Sequence, residues 1–233
     1  MNERQHAVLI TGAAGQLGQA VASVYQRQGA RLVLLDRDAN ALREAFGTVA
    51  GAVLLDVDLL DRAAVSSRVA EAITRVGRID TLCHIAGGFR MGEKVHETSA
   101  ENWDFLLGLN AGSLLGIAAA VVPHLIERGG GRIVTIGAGA AREGAARMGA
   151  YCASKSALIR LTEAMSAELR DHDINVNCVL PSIIDTPDNR AAMPDADASR
   201  WVKPEALADV IAFLTSDAAR AIHGAAIPVS GRV

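Results

Sequence analysis

Apolar runs of strand length alternate along this chain with longer segments of helical period, and that alternation restricts the possible folds more than any other feature. The expected strands are residues 7–10, 31–35, 52–55, 81–85, 132–136, 175–179 and 226–229. Between them the spacing of apolar residues predicts helices over 16–28, 39–46, 62–75, 100–126, 151–170 and 204–215. The strand segments are continuous Val, Ile and Leu without polar alternation, as in strands buried on both faces. Repeated strand–helix units of this kind predict one domain over 1–233, an α/β doubly wound, three-layer arrangement around a parallel sheet of roughly seven strands. Two stretches read as loops. Residues 138–150 are rich in Ala and Gly, and 182–202, with Pro187, Pro194 and four aspartates, is long enough to form a lid.

The formal net charge is −3 and no block of like charge occurs, so a nucleic-acid partner is not expected. The polar stretch 1–6 has no signal-peptide pattern. Cys83, Cys152 and Cys178 are odd in number, widely spaced and without a CxxC pair, which suits reduced thiols in a cytoplasmic protein. Residues 105–126 carry no Asp, Glu, Lys or Arg, as a membrane span would. They also hold Asn110, Ser113, Pro123 and His124, with Gly108, Gly112 and Gly116 at spacing four. Small residues at that spacing admit a close neighbour, so the expectation is a buried helix on the core or at a subunit interface, not a membrane partner.

The first strand runs into Thr11-Gly12-Ala13-Ala14-Gly15-Gln16-Leu17-Gly18, followed by a helix. Here Gly12 permits the tight turn, Gly15 lets main chain approach a phosphate, and Gly18 permits close helix–strand packing. The helix N-terminus then offers Gln16 and Leu17 N–H groups to a pyrophosphate. Asp36 ends the second strand, 18 residues after Gly18, where a carboxylate accepts from ribose hydroxyls. Its charge opposes a 2′-phosphate, so NAD(H) is favoured over NADP(H), although neighbouring Arg37 softens the preference. Asp56 either reaches the adenine or belongs with Asp58 and Asp61 to a helix start. Tyr151 and Lys155, four apart, share a helix face. The ammonium is expected to draw the phenol's pKa below its usual value, readying it for proton transfer beside a hydride carrier.

Over nearly its full length the chain resembles the short-chain dehydrogenase/reductase family, a Rossmann-type fold. The resemblance rests on the glycine turn, Asp36, Ile85-Ala86-Gly87, Asn110, Tyr151-Cys152-Ala153-Ser154-Lys155 and Pro181, in the family's order and spacing. It implies that Tyr151, Lys155 and Asn110 are catalytic, with Asn110 positioning a relay water. It also implies that Gly12, Gly15, Gln16, Leu17, Gly18, Asp36, Arg37, Asp56, Val57, Ala86, Gly87, Lys155, Pro181, Ile184 and Thr186 hold the cofactor. A small-molecule substrate and a homodimer or homotetramer, paired through the helices of Asn110 and Tyr151, are implied as well.

Four positions depart from the family pattern. Gln16 stands where its main branch keeps a second glycine, His84-Ile85 replaces Asn-Asn, and Ser182 replaces the glycine after Pro181. The fourth is Ala138, 13 residues before Tyr151, where the catalytic serine is usual. One oxyanion donor is worth about 10²–10³ in rate, so ordinary ketone reduction is put in question. Quinonoid dihydropteridine reductases also lack that serine, and the chain is similar to them at Ala86-Gly87-Gly88, over 180–190, at Met193-Pro194, Ala196-Asp197 and Trp201. A reductase of pterin-like, quinonoid or imine substrates is therefore the leading expectation. A main-branch carbonyl reductase or alcohol dehydrogenase, including a 3-oxoacyl type, and a non-catalytic NAD-binding regulator are the alternatives. Met148, Met193 and Trp201 either wall the substrate or pack the lid. Arg142, Arg147 and Arg190 are expected to be solvated, His84 to be a hydrogen-bonded structural histidine with no metal-ligand pattern around it, and Cys152 to point away from the chemistry.

Overall fold

The computed structural model describes residues 5–233; residues 1–4 of the polar N-terminal stretch lie outside the described residues. The strands are β1 (Ala7–Thr11), β2 (Arg31–Asp36), β3 (Val53–Asp56), β4 (Thr81–His84), β5 (Gly131–Ile136), β6 (Ile174–Pro181) and β7 (Ala226–Val229). They form one parallel sheet in the order β3-β2-β1-β4-β5-β6-β7. The helices are α1 (Gln16–Arg27), α2 (Ala39–Phe46), α3 (Arg62–Val76), α4 (Ala100–Leu107), α5 (Ser113–Glu127), α6 (Gly149–Leu169), α7 (Pro187–Ala192) and α8 (Pro204–Leu214).

The continuous apolar strands divide their side chains between two layers, because successive residues point to opposite faces. Val8, Ile10, Leu32 and Leu34 pack with Leu17, Val21, Leu42 and Ile211 of α1, α2 and α8. Ala7, Leu9, Val33 and Leu35 pack with Val65, Val69, Ile117, Val121 and Leu158 of α3, α5 and α6. Carboxylates start the helices that follow β2 and β3: Asp38 accepts from the N–H groups of Asn40 and Ala41, and Asp61 from those of Ala63 and Ala64.

The apolar helix expected over 100–126 is long and apolar enough to cross a membrane by length and composition. In the fold its Leu114, Ile117, Val121 and Leu125 belong to the core beneath the sheet. It is interrupted by a π turn, Gly108–Gly112, which holds Asn110. The segment 182–202 is less irregular than its composition implies. Thr186 caps α7 by accepting from Asn189 N–H, and Pro187 opens that helix, where its missing N–H costs nothing. Both ends of the segment are tied together, Asp185 N–H donating to Val202 O at 2.8 Å and Val202 N–H to Ile183 O at 2.9 Å. All three cysteines are buried and unpaired.

Candidate active site

In a parallel sheet every strand delivers its C-terminal end to the same edge, and this chain reverses its strand order between β1 and β4. The crevice above that reversal is where such sheets hold ligands. Gly12 turns there at φ +65, and a Cβ on it would lie 2.9 Å from Ala86 N and Cα. Gly18 is tighter still, its notional Cβ falling 2.2 Å from Gly12 O. Gly15 is exposed, and a Cβ there would only touch Gly12 O at 3.5 Å. The three glycines thus divide their tasks as the sequence implies: turn, open approach and close packing. No side chain caps α1, so the N–H groups of its first turn face the crevice without a side-chain partner. Gln16 is exposed there, while Leu17 points into the core.

Asp36 ends β2 beside this turn and accepts from Ala14 N–H at 3.0 Å. Its other carboxylate oxygen faces Asp38 N–H at 3.3 Å, and Arg37 is exposed. Asp56, its register partner on β3, is exposed and paired with Arg68 at 3.2 Å. Of the three aspartates grouped as a possible helix start, only Asp61 caps α3, while Asp58 accepts from Leu60 N–H in the turn before it. Val57 is buried, its N–H donating to Asp36 O. The uncapped helix end, the glycine cradle and the carboxylate at β2 fit a dinucleotide, which Gln16, Leu17, Gly18 and Asp36 would hold.

The second cluster lies over the ends of β4 and β5. Asn110 is held on both sides by Gly88: its Oδ1 accepts from Gly88 N–H at 2.8 Å, and its Nδ2 donates to Gly88 O at 3.0 Å. The remaining Nδ2 proton goes to Ser154 Oγ at 2.9 Å, and Ser154 donates to Tyr151 O at 2.8 Å. Lys155 is 5% exposed, its ammonium donating to Ile136 O at 2.7 Å. Gly87 separates the two groups; a Cβ there would sit 2.9 Å from Asn110 Oδ1 and 3.0 Å from Lys155 Nζ. Phe89 follows, half-exposed, with its ring edge-on to Tyr151 at 4.8 Å between centroids. Among the described residues no group hydrogen-bonds the Tyr151 hydroxyl.

The expectation of a lowered phenol pKa is corrected here. Burial raises Tyr151 to about 12, and the same burial lowers Lys155 to about 8. The reason is geometric: the ammonium is spent on Ile136 O, so desolvation of the phenolate goes uncompensated. Trp201 is also buried, its carbonyl lying against Gly231, so it packs the base of 182–202 and does not wall an open pocket. Met148 and Met193 are partly exposed. Arg190 pairs with Asp185 at 2.6 Å, Arg147 donates to Gly92 O, and Arg142 is exposed. Pro181 ends β6, Ile184 bridges to Val202, and Thr186 is engaged as the α7 cap.

Ala138 is buried two residues past β5, and Thr135, the hydroxyl nearest it in sequence, is bonded to the Thr162 hydroxyl at 2.9 Å. Ser154 donates to Tyr151 O, Ser156 to Ala141 O and Ser182 to Ser230 O. Two contributors were not singled out from the sequence. Ser154 was legible in principle, three residues after Tyr151 on the same helix. Phe89 carries no local signal, because only the Gly88–Asn110 clasp aims it at Tyr151.

A family model described as short chain dehydrogenase matches residues 6–197. A sorbitol dehydrogenase of Cereibacter sphaeroides is 38% identical over 181 residues, 76% of this chain and 70% of its own. D-threitol dehydrogenase of Mycolicibacterium smegmatis is 33% identical over 236 residues, 96% of this chain and 90% of its own. Among solved structures, the 3-ketoacyl-(acyl-carrier-protein) reductase from Brucella melitensis complexed with NADH has a TM-score of 0.89 at 27% identity, covering 97% of this chain and 98% of that one.

Proposed function

Because the chain belongs to the short-chain dehydrogenase family, we propose that it is an NAD(H)-preferring oxidoreductase acting on a small carbonyl, imine or quinonoid substrate, with Tyr151 as proton donor and acceptor. The observation that carries this reading is Tyr151, its hydroxyl unpartnered among the described residues, on one helix with buried Lys155 and with Ser154, which receives the Asn110 amide, one strand-end away from the glycine cradle. When bound, nicotinamide supplies or accepts the hydride.

The protein's own part is to bind, orient and move a proton. The first-turn N–H groups of α1 would hold the pyrophosphate, and Asp36 would accept from the ribose hydroxyls. A carboxylate facing a 2′-phosphate at ~4 Å costs roughly 4 kcal/mol per charge pair at an effective dielectric of 20, which sets the NAD(H) preference. In reduction the Tyr151 O–H would give its proton to the substrate's oxygen or nitrogen, leaving a phenolate. With its pKa raised to about 12 by burial, Tyr151 arrives protonated but is a weak acid, and a cation brought to the phenol is what would draw its pKa toward the working range. Lys155 stabilises the phenolate that remains once its ammonium turns from Ile136 O. Segment 182–202, tied at both ends, closes over the substrate and excludes water. The assembly is a cytoplasmic homodimer or homotetramer, and exposed Trp103 and Leu115 on α4 and α5 supply apolar surface for pairing.

Ala138 leaves Tyr151 without a second hydroxyl donor, which suits a substrate already electron-poor at the reacting atom, such as a quinonoid pterin-like ring or an imine. A second reading, an alcohol or polyol dehydrogenase in which water or a main-chain N–H replaces the serine, is favoured by the names of the two relatives above. Steady-state oxidation of NADH, with NADPH alongside, against quinonoid dihydropterin and a panel of ketones decides between them. Fast pterin turnover with NADH, lost in Tyr151→Phe, supports the first. Ketone turnover without pterin turnover overturns it in favour of the second.

A further inference from the structure

We propose that His84 is a positioning residue, a neutral imidazole that couples the glycine turn after β1 to the π turn holding Asn110. The inference rests on the reading of those two turns as cofactor and catalytic elements. His84 stands where the family resemblance leads one to expect asparagine, and it is 1% exposed.

The direction of each hydrogen bond follows from counting donors. Thr11 Oγ1 accepts from Ile85 N–H at 3.2 Å and Ala86 N–H at 3.3 Å. Both its acceptor positions are then taken, so its own proton goes to His84 Nδ1 at 2.9 Å. Nδ1 is therefore bare, and a neutral ring must carry its proton on Nε2. That proton is donated to Ser113 Oγ at 3.1 Å, and Ser113 passes its own to Leu109 O at 2.5 Å. The last bond matters locally. Ser113 N–H donates five residues back to Gly108 O, the π-turn pattern, and the Ser113 hydroxyl serves Leu109 O four residues back. Asn110 follows directly.

A doubly protonated ring would aim a second N–H at Thr11 Oγ1, which has no acceptor site left. Burial, with the nearby charge of Lys155, lowers the imidazole pKa to about 3, so the neutral form persists through the working pH range. An imidazole suits this place because it accepts at one edge and donates at the other across a span that a single amide does not bridge. Thr11 and His84 are 73 positions apart in sequence and His84 and Ser113 are 29 apart, yet one ring holds both contacts.

Two substitutions divide the network. His84→Asn places an amide oxygen near the depth of Nδ1 and retains only the Thr11 contact. His84→Gln reaches the depth of Nε2 and retains only the Ser113 contact. The readouts need no substrate: NADH affinity by fluorescence titration, and deuterium uptake of the peptide spanning 108–114. His84→Asn is expected to keep NADH affinity within threefold while exchange in 108–114 rises at least tenfold. His84→Gln is expected to do the reverse, weakening NADH about tenfold, the factor equivalent to ~1.4 kcal/mol, with 108–114 still protected. In the unsubstituted protein, nitrogen-detected NMR of labelled histidine should show Nε2 protonated and Nδ1 bare. A proton on Nδ1 overturns the proposal. So does an equal loss in both readouts for both variants, in step with their melting temperatures, which would make His84 a space-filling residue. Failure of every tested substrate would damage the proposed reaction and leave these three measurements intact.

Discussion

Replacing Lys155 by methionine tests the buried ammonium directly. Its pKa falls from the ordinary 10.5 to about 8 because burial penalises the charged form, and Ile136 O is its hydrogen-bond acceptor. Between those two values the unfolded chain keeps a proton that the folded chain has released. The unfolded state then binds more protons, so stability rises with pH across that window. Integrated from pH 7 to pH 10, this one group adds about 2.5 kcal/mol to the folded state. Lys155→Met removes the group and the gain with it. At pH 7 the variant should be as stable as the parent or slightly more so. Relief of the buried charge is offset by the roughly 1–3 kcal/mol cost of leaving Ile136 O unpaired. Turnover should be lost throughout. The assay is denaturant unfolding of both cofactor-free proteins at pH 7 and pH 10, read as a difference of differences so that all other titrating groups cancel. A parent-minus-variant change of 2–3 kcal/mol is expected. A change below about 0.5 kcal/mol would refute the claim that this ammonium is desolvated and poorly compensated.

Four further outcomes follow from the same geometry. Tyr151→Phe should lower kcat by about 10²–10⁴ with NADH binding retained, since only the proton donor is removed; an unchanged rate on every substrate would return the chain to the non-catalytic regulator. Asp36→Asn keeps an acceptor for Ala14 N–H but removes the charge, and should raise NADPH relative to NADH affinity at least tenfold. Gly18→Ala forces a Cβ to 2.2 Å from Gly12 O, so unfolding experiments should show a loss of roughly 3 kcal/mol or more together with lost cofactor binding. Ala138→Ser should raise turnover of simple ketones at least tenfold if the alcohol dehydrogenase reading is right, and leave pterin turnover within a few-fold if it is not.

Most of the elements and their layering were legible in the sequence, as were the glycine turn after β1 and the carboxylate at the end of β2. Strand and helix periods are carried by neighbouring residues, and the turn Gly12–Gly18 with Asp36 depends on spacings that survive any detail of packing. The Tyr151–Lys155 pair was legible for the same reason, as two residues one helical turn apart. What the pair does electrostatically was not, because the phenol's pKa depends on how deeply α6 is buried and on Ile136 O, which claims the ammonium from another strand. Helix α7 was hidden by proline content, although Thr186-Pro187 is a helix-start signal once the segment is not assumed to be loop. The π turn, the Phe89 ring on Tyr151 and the His84 contacts were decided by the tertiary structure alone. The π turn spans only five residues, but its Ser113 hydroxyl is met by His84 from β4. It and the other two contacts join groups far apart in sequence, and no local period records which distant donor will meet which acceptor once water has been excluded.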